Sequence, residues 1–398
     1  MNKQRFYTLP SYSNPNEISK PTQNVDTQKS IVNFGKDNLY PQFLISLLEE
    51  NAIHGSIVER KADIAVGSNI TYNSTPEIDL LIKINDLYDV IKRCIYDYIV
   101  MNNFALNIVW NVEKTKIVKI EHVDISKVRY CEKEGRNKVQ SFYISNNWGD
   151  TRKKINKPIK YSRFSETERE EGSYLYVYDK YQIGRDYYPL PSYQGAVISI
   201  LNGINISKFH LSNLQKNFFP GLVIKYNGRV EDPDEVFRDL QANFGGFLNA
   251  GEPFITFAED KDTGVEIIPV KANDNAETFL VQSETIRENI LTAHGITNPL
   301  LVGVKTPGIF AADNNLINDY RLFFNITIKP IQDVMIETFN YLFSVNNLNL
   351  DLKFVEKDTI AIEFSESTLS QILTRNELRS IIGYEPITEE NNNNTEIL

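Results

Sequence analysis

Apolar residues along the chain follow two different spacings, and the change between them divides the sequence into segments. Near the start, apolar residues lie three or four positions apart, which predicts helices at 41–67 and 74–104. Thr75 can cap the second of these helices, and Pro76 suits its first turn. The spacing then falls to two, which predicts antiparallel strands at 105–111, 115–123, 127–132, 138–145 and 173–180. The charged stretch 146–173 predicts a loop.

Helical spacing returns in the second half of the chain. It predicts helices at 192–219, 276–295 and 312–345. Ser192 is the expected cap of the first, and Gly295 is the expected end of the second. The third contains Pro330, whose ring clashes with the carbonyl of Ile326 and therefore predicts a kink.

Short elements lie between these helices and after the last one. Strands are predicted at 222–228, 253–260, 264–270 and 359–364, and short helices at 232–245 and 373–383. Polar residues dominate an arm at 1–30 and a tail after Pro386. The pattern as a whole predicts an α+β protein, with one α+β domain at 31–185 and a small β, α and β insert between two helices.

Charge and cysteine content narrow the classes of function. The 398-residue chain has a net charge of −10, which disfavours tight nucleic-acid binding because that binding depends on phosphate neutralisation. Cys94 and Cys131 form no CxxC motif, so we expect no disulfide framework. The chain has no run of about 18 apolar residues and no secretory h-region at its start, so we expect neither a membrane span nor a signal peptide.

Motifs for catalysis and metal binding are missing from the sequence. It has no GxxxxGK[ST], HExxH or GxSxG, and no GxGxxG after a strand. The four histidines, none of them at a ligand spacing, are His54, His122, His210 and His294. His294 falls at a predicted helix C-terminus, where a cation is mildly favourable. We therefore expect no catalytic residue, no metal and no cofactor.

One acidic cluster keeps an alternative open. It consists of Asp232, Asp234, Glu235 and Asp239, and a solvated helix N-terminus explains it. The alternative is an enzyme of an unfamiliar α+β type, with a site near Asp232, Glu235 and Glu266. The sequence offers that enzyme no matched base, nucleophile or ligand set.

Five stretches, taken in order, resemble one protein family. They are "YPLPSYQGAVISI", "NFFPG", "TAHGITNPLLVGV…GIF", "FFNITIKPIQDVMIETFNYLF" and "LTRNELRSIIGYEPI". This order of elements resembles the portal proteins of tailed bacteriophages. The resemblance rests on 187–346, with support at 33–67 and 374–386.

The resemblance implies a portal-like α+β fold. That fold has a wing domain with long helices and an antiparallel sheet, two stem helices, a small α/β clip and a long proline-kinked helix. The implied parts are a flexible arm at 1–30, the N-terminal wing at 31–191, stem helices at 192–219 and 276–295, the clip at 220–275, a tunnel loop at 296–311, the kinked helix with the C-terminal wing or crown at 312–386, and a disordered tail at 387–398.

The resemblance also implies a function. Portal proteins form rings, usually of about twelve subunits, at one capsid vertex of the virion, where they are the channel for DNA packaging and ejection. The implied tunnel-loop residues that face the DNA are Val304, Lys305, Thr306, Pro307 and Gly308, and Pro330 is the implied helix kink. Lys305 is the only charge in "VGVKTPGIFAA". The stem helices carry Lys208, Lys216, Glu284, Arg287 and Glu288, which either pair between neighbouring subunits or are solvated.

The implied partners are other components of a phage particle. They are the major capsid protein and scaffold, the large terminase subunit, head-completion adaptors or tail proteins, and double-stranded DNA that passes through without sequence-specific binding. Assembly would occur in the bacterial cytoplasm, with no membrane partner. A third possibility, besides a portal or an enzyme, is another virion or tail-assembly protein with a similar α/β core.

Overall fold

A computed structural model describes most of the chain. The described residues are 21–26, 30–133, 139–167, 172–215, 222–226, 265–269, 276–303, 313–357 and 376. The predicted strands at 253–260 and 359–364, the short helix at 232–245, the short helix at 373–383 apart from residue 376, and the polar tail lie outside the described residues.

Eight α-helices are defined in the described part of the chain. They are α1 (Tyr40–Glu50), α2 (Ala52–Val66), α3 (Pro76–Asn85), α4 (Leu87–Met101), α5 (Val197–Gln215), α6 (Ala276–Ala293), α7 (Asp313–Phe323) and α8 (Lys329–Ser344). Thr75 caps α3 as predicted, because its Oγ1 accepts a hydrogen bond from the backbone N–H of Ile78. The end of α6 is followed by Gly295 at a φ of 70°, a conformation that favours glycine.

Most strands belong to one mixed sheet. The strands are β1 (Gln23–Asp26), β2 (Ile31–Phe34), β3 (Asn69–Thr71), β4 (Asn103–Trp110), β5 (Ile117–Val123), β6 (Val128–Cys131), β7 (Ser141–Ile144), β8 (Ile159–Arg163), β9 (Ser173–Asp179), β10 (Leu222–Tyr226), β11 (Val265–Pro269) and β12 (Lys353–Val355). The sheet has eight strands in the order β1-β2-β6-β7-β8-β9-β4-β5. All its neighbours are antiparallel except β8 and β9, and separate antiparallel pairs join β10 to β11 and β3 to β12.

The core lies where helices cover the sheet. Helix α4 contributes one fully buried face, which includes Ile91, Cys94 and Ile95. Strand β4 contributes Phe104 and Leu106, also fully buried. Burial of such side chains stabilises each by about 1.5–3 kcal/mol. The prediction that Cys94 is buried is confirmed.

The structure corrects four local predictions. The single helix at 74–104 is broken at Asp86, which adopts a left-handed conformation that Asp and Asn tolerate. Strand β8 lies inside the predicted loop 146–173. Its sequence "IKYSR" is mostly exposed and has no buried face, so no alternation of apolar residues indicates a strand there. Strand β1 lies inside the predicted arm, where only Val25 packs against the core. Ser192 caps no helix; its Oγ donates to Asn102 Oδ1 at 3.1 Å, and α5 begins at 197 after a 3₁₀ turn.

Candidate functional site

Helices α5 and α6 pack side by side and leave an open groove between them. The groove has a volume of about 570 Å³ and is lined by Ser199, Asn202, Asn205, Ile206, Phe209, Val281, Gln282, Thr285, Ile286 and Asn289. Phe209 is 48% exposed and Val281 is 61% exposed. Ile198, Leu211 and Leu280 are also exposed on the same two helices. Exposed apolar side chains that line an open groove are typical of an interaction surface.

The base of the helix pair is fixed to the first two helices of the chain. Asn51 Oδ1 accepts a hydrogen bond from His54 N at 2.9 Å, and Asn51 Nδ2 donates to Ile200 O at 3.0 Å. Gly203 permits this approach, because a Cβ there would lie 2.9 Å from Asn51 Nδ2 and 3.5 Å from Ile286 Cγ2. Asn51 therefore caps α2 and holds α5 with the same side chain.

The charged residues of the helix pair divide into two groups. Lys208 Nζ lies 2.5 Å from Glu50 Oε2 within the same chain, and this pair is partly exposed. Glu284 and Glu288 are exposed, Arg287 is half-buried, and none of the three forms a salt bridge with a described residue. The side chain of Lys216 lies outside the described residues.

Two histidines that lie far apart in the sequence meet beneath the helix pair. His54 Nδ1 and His294 Nε2 are 2.9 Å apart and buried, although the two residues are 240 positions apart in the sequence. Tyr193 contacts both rings, with centroid distances of 4.5 Å and 5.0 Å. Lys61 Nζ donates to His294 O at 3.2 Å. This cluster, His54, Lys61, Tyr193 and His294, joins α2 to the C-terminal end of α6 and is called the anchor.

Burial decides the charge state of the anchor. It lowers the pKa of His54 to about 4, with the Lys61 charge adding to the effect. It holds the pKa of His294 well below the usual range and lowers that of Lys61 to about 8. Both histidines are therefore neutral at pH 7. His54 Nε2 is buried without a partner, so the tautomer with the proton on Nδ1, donating to His294, leaves only an acceptor unpaired.

The sequence interpretation of His294 was wrong. It lies just beyond the last residue of α6, as predicted, but it is 3% exposed and neutral rather than a surface cation. The only signal for its partner is weak: His54 falls in α2, among apolar residues at helical spacing. No periodicity indicates contact across 240 residues.

The predicted tunnel loop leaves and re-enters the described part of the chain at neighbouring points. Asn298 Nδ2 donates to Asp319 Oδ2 at 2.9 Å, which links the turn before the loop to α7. Gly295 lies against Thr327, whose Oγ1 would be 3.0 Å from an added Cβ. Val304, Lys305, Thr306, Pro307 and Gly308 lie outside the described residues. The described segments before and after the loop are therefore in contact with each other.

The long helix predicted at 312–345 is interrupted before its proline. A π-helical turn at Phe324–Ile328 separates α7 from α8, and Pro330 is exposed at the start of α8. Proline donates no hydrogen bond to the preceding turn, which favours such an irregularity. Gln332 Nε2 donates to Ala65 O at 2.9 Å and fixes α8 against α2.

Replacing Pro330 by alanine is expected to change this turn. Alanine restores a backbone N–H that can donate to the carbonyl of Ile326, so the α-helical pattern extends through the turn. We expect a measurable change in the direction of α7 relative to α8, read from a cryo-EM map of the assembled protein. Lys329→Ala is the control, since it keeps the N–H pattern. An unchanged path in Pro330→Ala would show that tertiary packing, not proline, sets the turn.

Within the described residues, the arrangement most similar to a catalytic site is a His–Asp pair. His122 Nε2 and Asp97 Oδ2 are 2.8 Å apart beside a cavity of about 310 Å³. Its lining residues are Asn107, Glu121, His122, Val123, Ile144, Tyr161 and Leu175, with no serine, cysteine or lysine.

No group of three His, Cys, Asp or Glu residues placed to hold a metal occurs in the described ranges. None of the described helices is long and apolar enough to cross a membrane.

Comparisons with known proteins show a shared fold. No family model and no curated protein matches the sequence. Three solved structures match this chain, and each match covers 86% of this chain and 94% of the other chain. Two are necks of gene transfer agent (GTA) particles, a native one computed with C12 symmetry and an empty one computed with C6 symmetry, each at 15% sequence identity and a TM-score of 0.52. The third is the virion of a native GTA particle, at 16% sequence identity and a TM-score of 0.50. At this identity, the likeness concerns the fold alone.

Proposed function

We propose that this chain is a portal protein, a virion component that forms a dodecameric ring at one capsid vertex. The observation that carries the proposal is the exposed apolar groove between α5 and α6, on the elements that the family uses as its stem. In a solitary subunit Phe209 is 48% exposed and Val281 is 61% exposed, whereas a ring buries the exposed parts of both against a neighbour. The fold shared with neck and virion components of a GTA particle supports it, and one of those necks was computed with C12 symmetry.

Charges on the stem favour the same arrangement. Glu284 and Glu288 lie on α6 with Arg287 between them, and none pairs with a described residue of the chain. Ring contacts are heterologous, so an acidic patch on one subunit meets a different patch on the next. Exposed pairs of this kind contribute about 0–1 kcal/mol each and set register more than affinity.

The tunnel loop supplies the proposed contact with DNA. The hydrogen bond from Asn298 Nδ2 to Asp319 Oδ2 joins the chain before the loop to α7, which follows it. Lys305 is the only charge in "VGVKTPGIFAA". In a ring, these lysines form a positive belt within an acidic body, and screening limits their reach to about 8–10 Å. Such a belt contacts phosphates without a deep energy well, which suits DNA that must keep moving.

The remaining partners follow from the proposed position at a capsid vertex. The antiparallel β10–β11 pair belongs to the clip, where the terminase motor docks during packaging and head-completion or tail proteins dock afterwards. The wing contacts the major capsid protein and scaffold. DNA enters and leaves through the central channel without sequence-specific binding.

Lys305→Glu is expected to lower DNA packaging while leaving the rings intact. The change replaces the positive belt by a negative one, and the negative belt repels phosphate at close range. Packaged DNA per particle, measured by nuclease protection, should fall about tenfold or more, whereas Lys305→Arg should package normally. Normal packaging by Lys305→Glu in intact rings would remove the proposed role of this loop.

A further inference from the structure

Strand β9 has one edge that is only partly paired. It pairs with β4 along its whole length, from Ser173 to Asp179. On its other side, β8 pairs only with Tyr174 and Leu175. The rest of that edge, from Tyr176 to Asp179, has no neighbouring strand in the described part of the chain.

Two hydrogen bonds at the ends of this stretch show which backbone groups face the free edge. Lys180 N donates to Asn102 O at 3.0 Å, on the β4 side, and Phe164 N donates to Leu175 O at 2.8 Å, on the β8 side. Because the direction alternates along a strand, Val177 and Asp179 direct their N–H and C=O groups away from β4, as Leu175 does.

These backbone groups meet no described hydrogen-bond partner. Neither Val177 nor Asp179 appears in a backbone bond to any described residue on that side. Val177 is only 4% exposed. A buried backbone group without a partner is costly, so an edge of this kind is expected to be paired in the working state.

A cleft of about 690 Å³ adjoins this edge. The sheet curls so that β6 approaches β9, and the Tyr130 hydroxyl donates to Asp179 Oδ1. Aromatic side chains form much of the wall, including Phe164, Tyr176 and Tyr178. The cleft therefore offers backbone pairing on one side and flat apolar surfaces on the other, which together suit an extended peptide.

The cleft is positive in a chain that is acidic overall. Its lining holds four cations, Lys133, Arg163, Lys180 and Arg185, against two carboxyl groups, Asp179 and Asp186. None of the four cations forms a salt bridge with a described residue. Lys133 instead donates to the carbonyl of Asp186 and lies over Tyr187. An acidic peptide would be complementary to this surface.

Three segments of the chain outside the described residues have strand-like sequences. One of them, "PFITFAED" at 253–260, lies between the paired strands β10 and β11 in the sequence and belongs to the proposed clip, which leaves two segments for a contact between wings. The first, "QRFYTLPSYS" at 4–13, carries a positive charge and a proline, and both disfavour it here. The second, "TIAIEFSES" at 359–367, alternates β-branched residues with other types and carries Glu363 and Glu366. Charge and strand propensity therefore select the second segment.

We propose that residues 359–364 of a second copy of this chain add as a strand to the free edge of β9, with the following acidic residues meeting the cationic cleft. This inference rests on the proposed function, because the ring is what places a second copy, and therefore its residues 359–364, beside every subunit. It adds a wing-to-wing contact to the contact between stem helices.

Hydrogen exchange tests the added strand in the full-length protein. The amides of Val177 and Asp179 should be protected, and Ile362→Pro, which removes a strand donor, should speed their exchange about tenfold or more. Ile362→Val keeps the donor and should leave them protected. The amide of Tyr178, which faces β4, is the internal reference and should not change. Equal exchange in both variants and the wild type would overturn the proposal.

Cross-linking of two co-expressed variants tests whether the strand comes from another copy. One chain carries Lys357→Arg, and the other carries Lys133→Arg with Lys180→Arg. An amine cross-link from Lys357 to Lys133 or Lys180 can then form only between the two chains. The presence of this link supports the proposal. If wild-type assemblies give the link but the mixed variants do not, the link forms within one chain and the proposal is overturned.

Light scattering on the same samples separates this inference from the proposed function. A cross-linked, protected edge in a dimer would support strand addition and contradict the ring. Rings with no cross-link and rapid exchange at Val177 and Asp179 would support the portal and overturn strand addition.

Discussion

Glutamate at both Phe209 and Val281 is expected to abolish ring assembly and leave the subunit folded. Both side chains are exposed in the single chain, at 48% and 61%, so neither change opens a cavity. Surface substitutions of this kind alter folding stability by about 0.5 kcal/mol. In the ring, each subunit would instead bury two carboxylates against apolar surface without partners, which costs several kcal/mol.

The expected loss is large because the contact repeats around the ring. A weakening of about 3 kcal/mol at one contact corresponds to more than a hundredfold in the association constant, and every contact carries it. Sedimentation velocity should show monomers in place of rings, while circular dichroism should show an unchanged spectrum and melting temperature.

A matched control separates the groove from general surface charge. Val112 is 99% exposed in the turn between β4 and β5, away from the paired helices. Val112→Glu adds the same charge and should still form rings. Rings formed by the Phe209→Glu and Val281→Glu double variant would show that the groove is not the contact between subunits.

The stability of the subunit is expected to fall as the pH is lowered from 7 to 5, in part because of the anchor. The pKa of His54 is lowered from 6.5 to about 4 by burial, so the unfolded chain binds its proton first. The contribution is complete above pH 6.5 and is lost as the pH falls towards 4. For this histidine alone, the loss between pH 7 and 5 is about 2 kcal/mol. His294 shifts in the same direction.

Other buried groups act on the same pH range and must be separated from the anchor. The pKa of Asp179 is raised to about 6 by burial, so its contribution to stability increases as the pH falls through 6. Lys61, with a pKa of about 8, stays largely protonated between pH 7 and 5 and adds little slope. The net slope is therefore smaller than the anchor contributes.

A double variant isolates the anchor. His54→Phe with His294→Phe removes both titrating rings but keeps the carbonyl of residue 294 that Lys61 contacts. Urea titrations give the unfolding free energy of the wild type minus that of the variant. This quantity should fall by about 2 kcal/mol or more when the pH is lowered from 7 to 5, because only the wild type loses the histidine contribution. His210→Phe, at an exposed position, is the control. A difference that is constant with pH would contradict neutral burial of the pair.

Local features of the fold could be predicted because they depend on neighbouring residues. The cap at Thr75 needs only a hydroxyl before a helix, and the positive φ at Gly295 needs only a residue without a Cβ. Strand β4 carries Phe104, Leu106 and Ile108 at every second position, and all three are fully buried. For these elements, the sequence pattern and the tertiary environment agree.

Other features depend on groups that are distant in sequence. The break at Asp86 depends on Asn85, whose Oδ1 accepts from Ile120 N on β5 at 2.8 Å. Strand β8 has a mostly exposed sequence and is held by pairing with β7 on one side. The anchor depends on an imidazole pair separated by 240 residues. No local period encodes such contacts, so the candidate site could be predicted only in outline.

The mass and shape of the purified full-length chain test the portal proposal most directly. Light scattering should give a mass of about twelve subunits, each of 45.8 kDa, and negative-stain images should show rings with a central hole. A stable dimer or tetramer without a central hole would contradict the proposal, provided that the protein concentration is high enough for subunits to associate through the groove between α5 and α6.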